Sequence, residues 1–102
     1  MDGLAVGIEE SDGILTVRLV GELDLGTRER LAPIRDALER HPTEIVVDMS
    51  KLTFMDSSGL RGILNGCSIA DSMGIKYRCI SIQPNVRRML EVVGLLETLH
   101  PD

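Results

Sequence analysis

The sequence has few of the residues that bind metals or stack on bases, and none of its apolar stretches is long enough to cross a membrane. It has one Phe, one Tyr and no Trp, so the core of this 102-residue chain must be aliphatic. Its two Cys and two His do not stand at spacings typical of zinc sites or catalytic triads. Every apolar stretch is far below the roughly 18 residues that span a bilayer. We expect neither a metal site nor a membrane span.

The charge balance excludes further classes of protein. The net charge is −5 and the isoelectric point is near 4.9. The densest basic spots, Arg28/Arg30 and Arg87/Arg88, lie among or near acids, whereas nucleic-acid binders carry a basic stripe. The N-terminus is acidic and lacks the basic segment of a signal peptide. The sequence therefore predicts a cytoplasmic protein that binds neither nucleic acid nor membrane.

Length and composition predict one domain over residues 1–102. The chain is 43% hydrophobic, which is too much for a disordered protein and enough for one core. Cys67 and Cys79 lie in apolar patterns and are expected to be buried reduced thiols. His41 and His100 stand beside prolines and are expected in exposed positions.

Apolar periodicity and turn residues predict the element order β-β-α-β-α-β-α. This order indicates a small α/β domain with one mixed sheet, which begins with an antiparallel hairpin, continues with parallel strands and has helices packed on it. The predicted strands are 4–9, 14–20, 44–49 and 75–82, and the predicted helices are 27–40, 58–72 and 84–93, with Gly94 ending the last helix.

The first helix contains a conflict. Thr27 is a suitable cap, and Leu31, Ile34 and Leu38 form an apolar stripe. Pro33 would then lie beyond the first turn, where it removes a hydrogen bond. Either the helix begins later than Thr27 or it kinks.

One segment, Phe54–Leu60, could carry chemistry. It follows the predicted strand 44–49 and leads into the long helix. A helix N-terminus stabilises a phosphate group, so Ser57 and Ser58 are well placed to carry one. The alternative is that Asp56 and the serines are ordinary capping residues. Catalysis by the chain alone is not expected, because the segment lacks the Gly-x-Ser-x-Gly elbow and the phosphate loop.

The sequence resembles the anti-sigma factor antagonists of the STAS class (sulfate transporter and anti-sigma factor antagonist). The resemblance rests on Val46–Met49, Leu52 and Phe54–Leu60. Three further blocks agree in spacing and extend it over nearly the whole chain: residues 21–24, 81–86 and 90–95.

The resemblance implies a bacterial binding protein rather than an enzyme. In the family, the unphosphorylated antagonist binds an anti-sigma factor that is also a serine kinase, and phosphorylation releases it. A separate serine phosphatase resets the switch, which controls transcription in processes such as stress response and sporulation. ATP and magnesium would belong to the kinase, so no cofactor is expected here.

The same resemblance assigns residues. The phosphorylated serine falls on Ser57, and Ser58 is expected to support the first helical turn. The partner-binding surface is expected to comprise Asp24, Asp56, Ser57, Ser58, Gly59, Arg61 and Gly62. For Gly62, packing within the domain is an equal alternative. The chain departs from the family at Arg61, where a small residue is common, and in the short segment after Leu95.

Two rival functions remain open. A stressosome-type scaffold would use the same domain in larger assemblies, which often carry an additional N-terminal domain. A small-ligand or nucleotide-binding module would use the N-terminus of the long helix directly.

Overall fold

A computed structural model describes residues 3–101 and contains one four-stranded sheet with helices packed on it. The strands are β1 (Leu4–Ser11), β2 (Ile14–Leu23), β3 (Glu44–Met55) and β4 (Lys76–Ile80). The helices are α1 (Ala32–Glu39), α2 (Ser57–Met73) and α3 (Pro84–Val92), with 3-10 turns at Arg28–Leu31 and Glu97–Leu99. The predicted element order and fold class are confirmed. Within the described residues, no helix has the length and apolar character needed to cross a membrane.

The sheet is mixed, as predicted, and its strands follow one another in space as they do in sequence. β1 pairs with β2 in antiparallel fashion, whereas β2–β3 and β3–β4 are parallel. The hairpin turns at Asp12 and Gly13, whose φ angles of 54° and 81° are those of a tight two-residue turn. Parallel pairing brings the carboxyl ends of β2 and β3 to the same edge of the sheet.

The position of Pro33 resolves the conflict in the first helix. α1 begins at Ala32, so Pro33 lies in its first turn, where no intrahelical hydrogen bond is lost. Of the two alternatives, the later start is confirmed, because residues 28–31 form a separate 3-10 turn before α1. Thr27 is nevertheless buried, and its hydroxyl donates to the Glu22 carbonyl at 2.8 Å and accepts from the Asp24 amide at 3.0 Å.

The two faces of the sheet differ in character. Alternate residues of the strands point into one aliphatic core beneath the helices, and among them Leu15, Val17, Leu19, Ile45, Val47 and Met49 are almost completely buried. The opposite face carries ion pairs. Arg18 contacts both Glu9 and Asp48, and Arg78 contacts Glu44 at 2.7 Å. The core is therefore one-sided, as is typical of a sheet with one face open to water.

Both cysteines are buried and unbridged, which confirms the prediction. Burial raises the pKa of the Cys79 thiol to about 12, with a smaller contribution from Cys67. Burial, and to a lesser extent the Asp71 carboxylate, raises the pKa of Cys67. Because both values are higher than in an unfolded chain, these thiols contribute stability that is present below about pH 8.5 and is lost as the pH rises above it.

We expect neither thiol of the native protein to react readily with Ellman's reagent at pH 8. The reactive species is the thiolate, which is scarce when the pKa is raised and which is shielded by the core. In the native protein, labelling of the two cysteines should be limited by unfolding. In denaturant, both cysteines should be labelled immediately. Fast reaction of folded protein would contradict this burial.

Candidate functional site

The site begins where the central strand ends. β3 runs to Met55, six residues beyond the predicted end at Met49. The prediction failed because the polar pair Ser50-Lys51 was interpreted as the end of the strand, whereas pairing with β2 continues through two register shifts. The last pair of the ladder joins Leu23 to Met55. The residues that follow each strand, Asp24 and Asp56, are therefore neighbours at one edge of the sheet.

A backbone hydrogen bond ties the two strand ends together. The Asp56 amide donates to the Leu23 carbonyl at 3.2 Å. The Asp24 carboxylate accepts from the Gly26 amide at 2.9 Å, and it lies 3.2 Å from the Thr27 hydroxyl oxygen. Asp24 thus shapes the turn that leads to α1 while remaining partly accessible. Both aspartates predicted for the site lie at this edge.

Asp56 begins the long helix. It has an extended backbone, and its carboxylate accepts from the Gly59 amide at 2.8 Å, so it is the N-cap of α2. The helix therefore starts at Ser57, one residue earlier than predicted. Asp56, and not Ser58, supports the first turn through its side chain. At the other end, Gly74 closes the helix in the left-handed conformation, as predicted.

Replacing the cap should cost a measurable part of the folding free energy. We expect Asp56→Ala to lower the free energy of unfolding by about 1 kcal/mol, the usual cost of losing an N-cap. Asp56→Asn is the matched control, because asparagine caps equally well without the charge. Urea unfolding followed by circular dichroism measures both. Equal stability of the alanine variant and wild type would mean that the Gly59 contact contributes little.

Ser57 is the first residue of α2 and is exposed. Its hydroxyl makes no hydrogen bond within residues 3–101. Ser58, beside it, is half-buried. Arg61 lies one turn after Ser57 and is exposed. Of the two serines, Ser57 is the more exposed.

The two glycines predicted for the partner surface have packing roles. A Cβ on Gly59 would lie 2.6 Å from the Leu23 carbonyl oxygen, so α2 crosses the end of β2 at a distance that only glycine allows. A Cβ on Gly62 would lie 2.7 Å from the tip of the Leu31 side chain. Gly59 is buried and Gly62 is half-buried. Packing requires glycine at position 59, where the close atom belongs to the backbone, whereas at position 62 the close atom is the end of a flexible side chain.

Two exposed apolar side chains belong to the elements that surround Ser57. Leu25, in the turn after β2, is 68% exposed, and Phe54, near the end of β3, is 45% exposed. Phe54 belongs to the motif at residues 54–60, but the sequence assigned it no role. Leu25 was not predicted to be part of the site. The available signal was an apolar residue between the turn-forming Asp24 and Gly26. Exposed apolar groups of this size are typical of contact surfaces when they lie together.

Charge and metal chemistry at this edge are simple. Within the described part of the chain, no group of three or more His, Cys, Asp and Glu residues could hold a metal ion. Asp24 and Asp56 lie at the edge of the sheet where α2 starts, and no histidine belongs to β2, to β3 or to the segments 24–27 and 56–60 that follow them. Ser57 therefore has no histidine in these elements that could activate it as a nucleophile.

Comparison with known proteins identifies the family. The STAS domain model matches residues 5–101, and the chain belongs to the STAS domain family. Within it, the chain is related to the anti-sigma factor antagonists. It is 36% identical over 98 residues to the anti-sigma F factor antagonist of Paenibacillus polymyxa. This alignment covers 94% of this chain and 84% of that protein.

Solved structures agree in fold. An anti-sigma factor antagonist from Mycobacterium paratuberculosis has a TM-score of 0.85 at 25% identity, over 98% of this chain and 86% of that one. The antagonist SpoIIAA has been solved unphosphorylated, with a TM-score of 0.80 at 27% identity over 96% of this chain and 88% of that one. The phosphorylated form of SpoIIAA from Bacillus has a TM-score of 0.74 at 26% identity, over 96% of this chain and 91% of that one.

Proposed function

We propose that this protein is an anti-sigma factor antagonist that works by partner switching in the cytoplasm. With Ser57 unmodified, it binds an anti-sigma factor that is also a serine kinase. Phosphorylation of Ser57 by that kinase releases it, and a serine phosphatase restores the binding form. The observation that carries the proposal is an exposed, unengaged Ser57 hydroxyl at the first position of α2, flanked by Asp24 and Asp56.

The binding form has the features of a contact surface. Leu25 and Phe54 offer exposed apolar area, and burying such area against a partner contributes about 25 cal/mol per Å². The Ser57 hydroxyl is small and neutral, so it can be covered by a partner at little electrostatic cost. Aspartates at the rim add specificity through pairing with basic groups on the partner.

The released form follows from charge. A phosphoserine carries about −1.5 to −2 charges at neutral pH. In the free protein, water and the amide groups at the start of α2 stabilise that charge. In the complex, water is excluded and Asp24 and Asp56 add like charge nearby. The bound state is therefore destabilised more than the free state, and no refolding of the domain is needed.

The phosphoryl donor is expected to come from the partner. The sequence has no phosphate-binding glycine loop, and the elements around Ser57 have no histidine to act as a base. ATP and magnesium would then bind to the kinase, and this chain would act as a substrate and a binding protein without catalysis of its own. The relatives, which are antagonists by name, support a regulatory role.

The proposal is tested by capturing the partner and mapping the modification. Unphosphorylated protein is used as bait in native cytoplasm, and the captured protein is identified. It is then purified and incubated with the bait, ATP and magnesium, and the phosphate is located by mass spectrometry. We expect an ATPase domain of the histidine-kinase fold and phosphate on Ser57. Phosphate on Ser58, or none on residues 54–60, would contradict the proposal.

A further inference from the structure

Arg61 is the nearest cation to Ser57 along the exposed side of α2. The two residues stand four positions apart in the same helix, and both are exposed. Side chains at this spacing lie on one face, with Cβ atoms about 5–6 Å apart. The guanidinium group of arginine reaches across such a gap and can donate two hydrogen bonds to one phosphate.

Arg61 also has no competing partner. Within residues 3–101, its guanidinium makes no ion pair or hydrogen bond. It borders the groove between α1 and α2, which has a volume of about 570 Å³ and whose other charged lining residues are Arg28, Glu29, Arg35 and Asp36. Glu29 and Asp36 are exposed, so water screens their attraction for Arg61. A phosphate on Ser57 would be a stronger and more local attractor.

The order of the two charges is the favourable one. In a helix, an anion that precedes a cation by four residues is stabilised more than the reverse arrangement. The phosphate would lie at the N-terminal end, and the guanidinium would lie one turn further along. Asp56, which precedes Ser57, is already engaged with the Gly59 amide, so it competes weakly for Arg61.

We propose that Arg61 is a phosphate clamp: it pairs with the phosphate of phosphorylated Ser57 and holds it against the first turns of α2. This inference rests on the proposed phosphorylation of Ser57 and adds a consequence specific to this chain. Phosphorylation then changes two charges on the contact surface. It adds a dianion at Ser57, and it withdraws the free Arg61 guanidinium from any acidic group of the partner.

The clamp is tested on protein that carries phosphoserine at position 57, introduced by genetic encoding, so that no kinase is required. The phosphate is titrated between pH 4 and 8 by ³¹P NMR in otherwise wild-type protein, in Arg61→Gln and in Arg35→Gln. Arg35 borders the same groove from α1 and is the matched control. An ordinary phosphoserine loses its second proton near pH 6.

We expect the titration midpoint of the phosphoserine protein with Arg61 to lie about 0.3 pH unit below that of Arg61→Gln. An ion pair within a helix stabilises the dianion by an amount that corresponds to a shift of this size. Arg35→Gln should match wild type, and the difference should disappear in 1 M salt, where charges are screened within about 3 Å. Equal midpoints for wild type and Arg61→Gln, or an equal change in Arg35→Gln, would overturn the clamp. Neither outcome bears on whether a kinase modifies Ser57, which the mapping experiment decides.

Discussion

Ser57→Glu should bind the anti-sigma factor about 100-fold more weakly than wild type. The carboxylate brings a fixed negative charge to a contact from which water is excluded, beside Asp24 and Asp56. Like charges juxtaposed in an interface cost several kcal/mol, and each 1.4 kcal/mol corresponds to a factor of ten in affinity. Calorimetry or surface plasmon resonance with the captured partner gives the two dissociation constants.

Two variants at the same position separate charge from size. Ser57→Gln has nearly the shape of the glutamate variant without its charge, so it should retain most of the affinity. Ser57→Ala should bind as wild type does and should not be phosphorylated, because it lacks only the hydroxyl. If the glutamine and glutamate variants bind equally weakly, the switch is steric; if Ser57→Glu binds as tightly as wild type, the electrostatic explanation is wrong.

Gly59→Ala should destabilise the fold by about 2–3 kcal/mol. The new methyl group would lie 2.6 Å from the Leu23 carbonyl oxygen and 2.7 Å from the Leu23 Cγ. Because the carbonyl belongs to the backbone of a central strand, it cannot rotate away, and overpacking of this kind typically costs 1–3 kcal/mol. For a domain of this size, we expect the Tm to fall by roughly 10–20 °C, as measured by circular dichroism.

Gly62→Ala is the control for the same substitution in the same helix. Its methyl group would meet the tip of the Leu31 side chain, which can change rotamer. Alanine also favours a helix over glycine by about 1 kcal/mol. We expect a change in the Tm of only a few degrees in either direction. A Gly59→Ala protein as stable as Gly62→Ala would show that α2 moves freely on β2.

The element order was predictable because its boundaries are local. The Asp12-Gly13 turn, Pro84 at the start of α3 and Gly74 at the end of α2 each determine the backbone within a few residues. Apolar spacing then distinguishes helices from strands. These signals need no knowledge of which elements contact one another.

The predicted end of β3 and the predicted start of α2 were wrong because contacts with elements distant in sequence determine both. β3 continues past Ser50-Lys51 because β2 supplies hydrogen bonds across two register shifts, and β2 is far away in sequence. Similarly, Asp56, Ser57 and Ser58 are all suitable capping residues. The choice of Asp56 depends on the bond from its amide to the Leu23 carbonyl, which fixes the point where the helix can start.

The exposed part of the site was predictable only in part. Ser57 and the aspartates came from a recognisable motif, whereas the exposure of Leu25 and Phe54 follows from the turn and the strand irregularity that hold them outside the core. An apolar residue in a sequence is by default expected inside. Only the fold shows that these two are left in water.

The hydrogen bond between the ends of β2 and β3 has a consequence for any enzyme that modifies Ser57. Because Asp56 is anchored to Leu23 and also caps α2, the Ser57 hydroxyl lies on a fixed helical turn and not on an extended loop. A kinase active site that fits this shape recognises a folded surface assembled from two strands and a helix. A short peptide with the sequence of residues 50–62 lacks β2, and with it the folded surface that surrounds Ser57 in the protein.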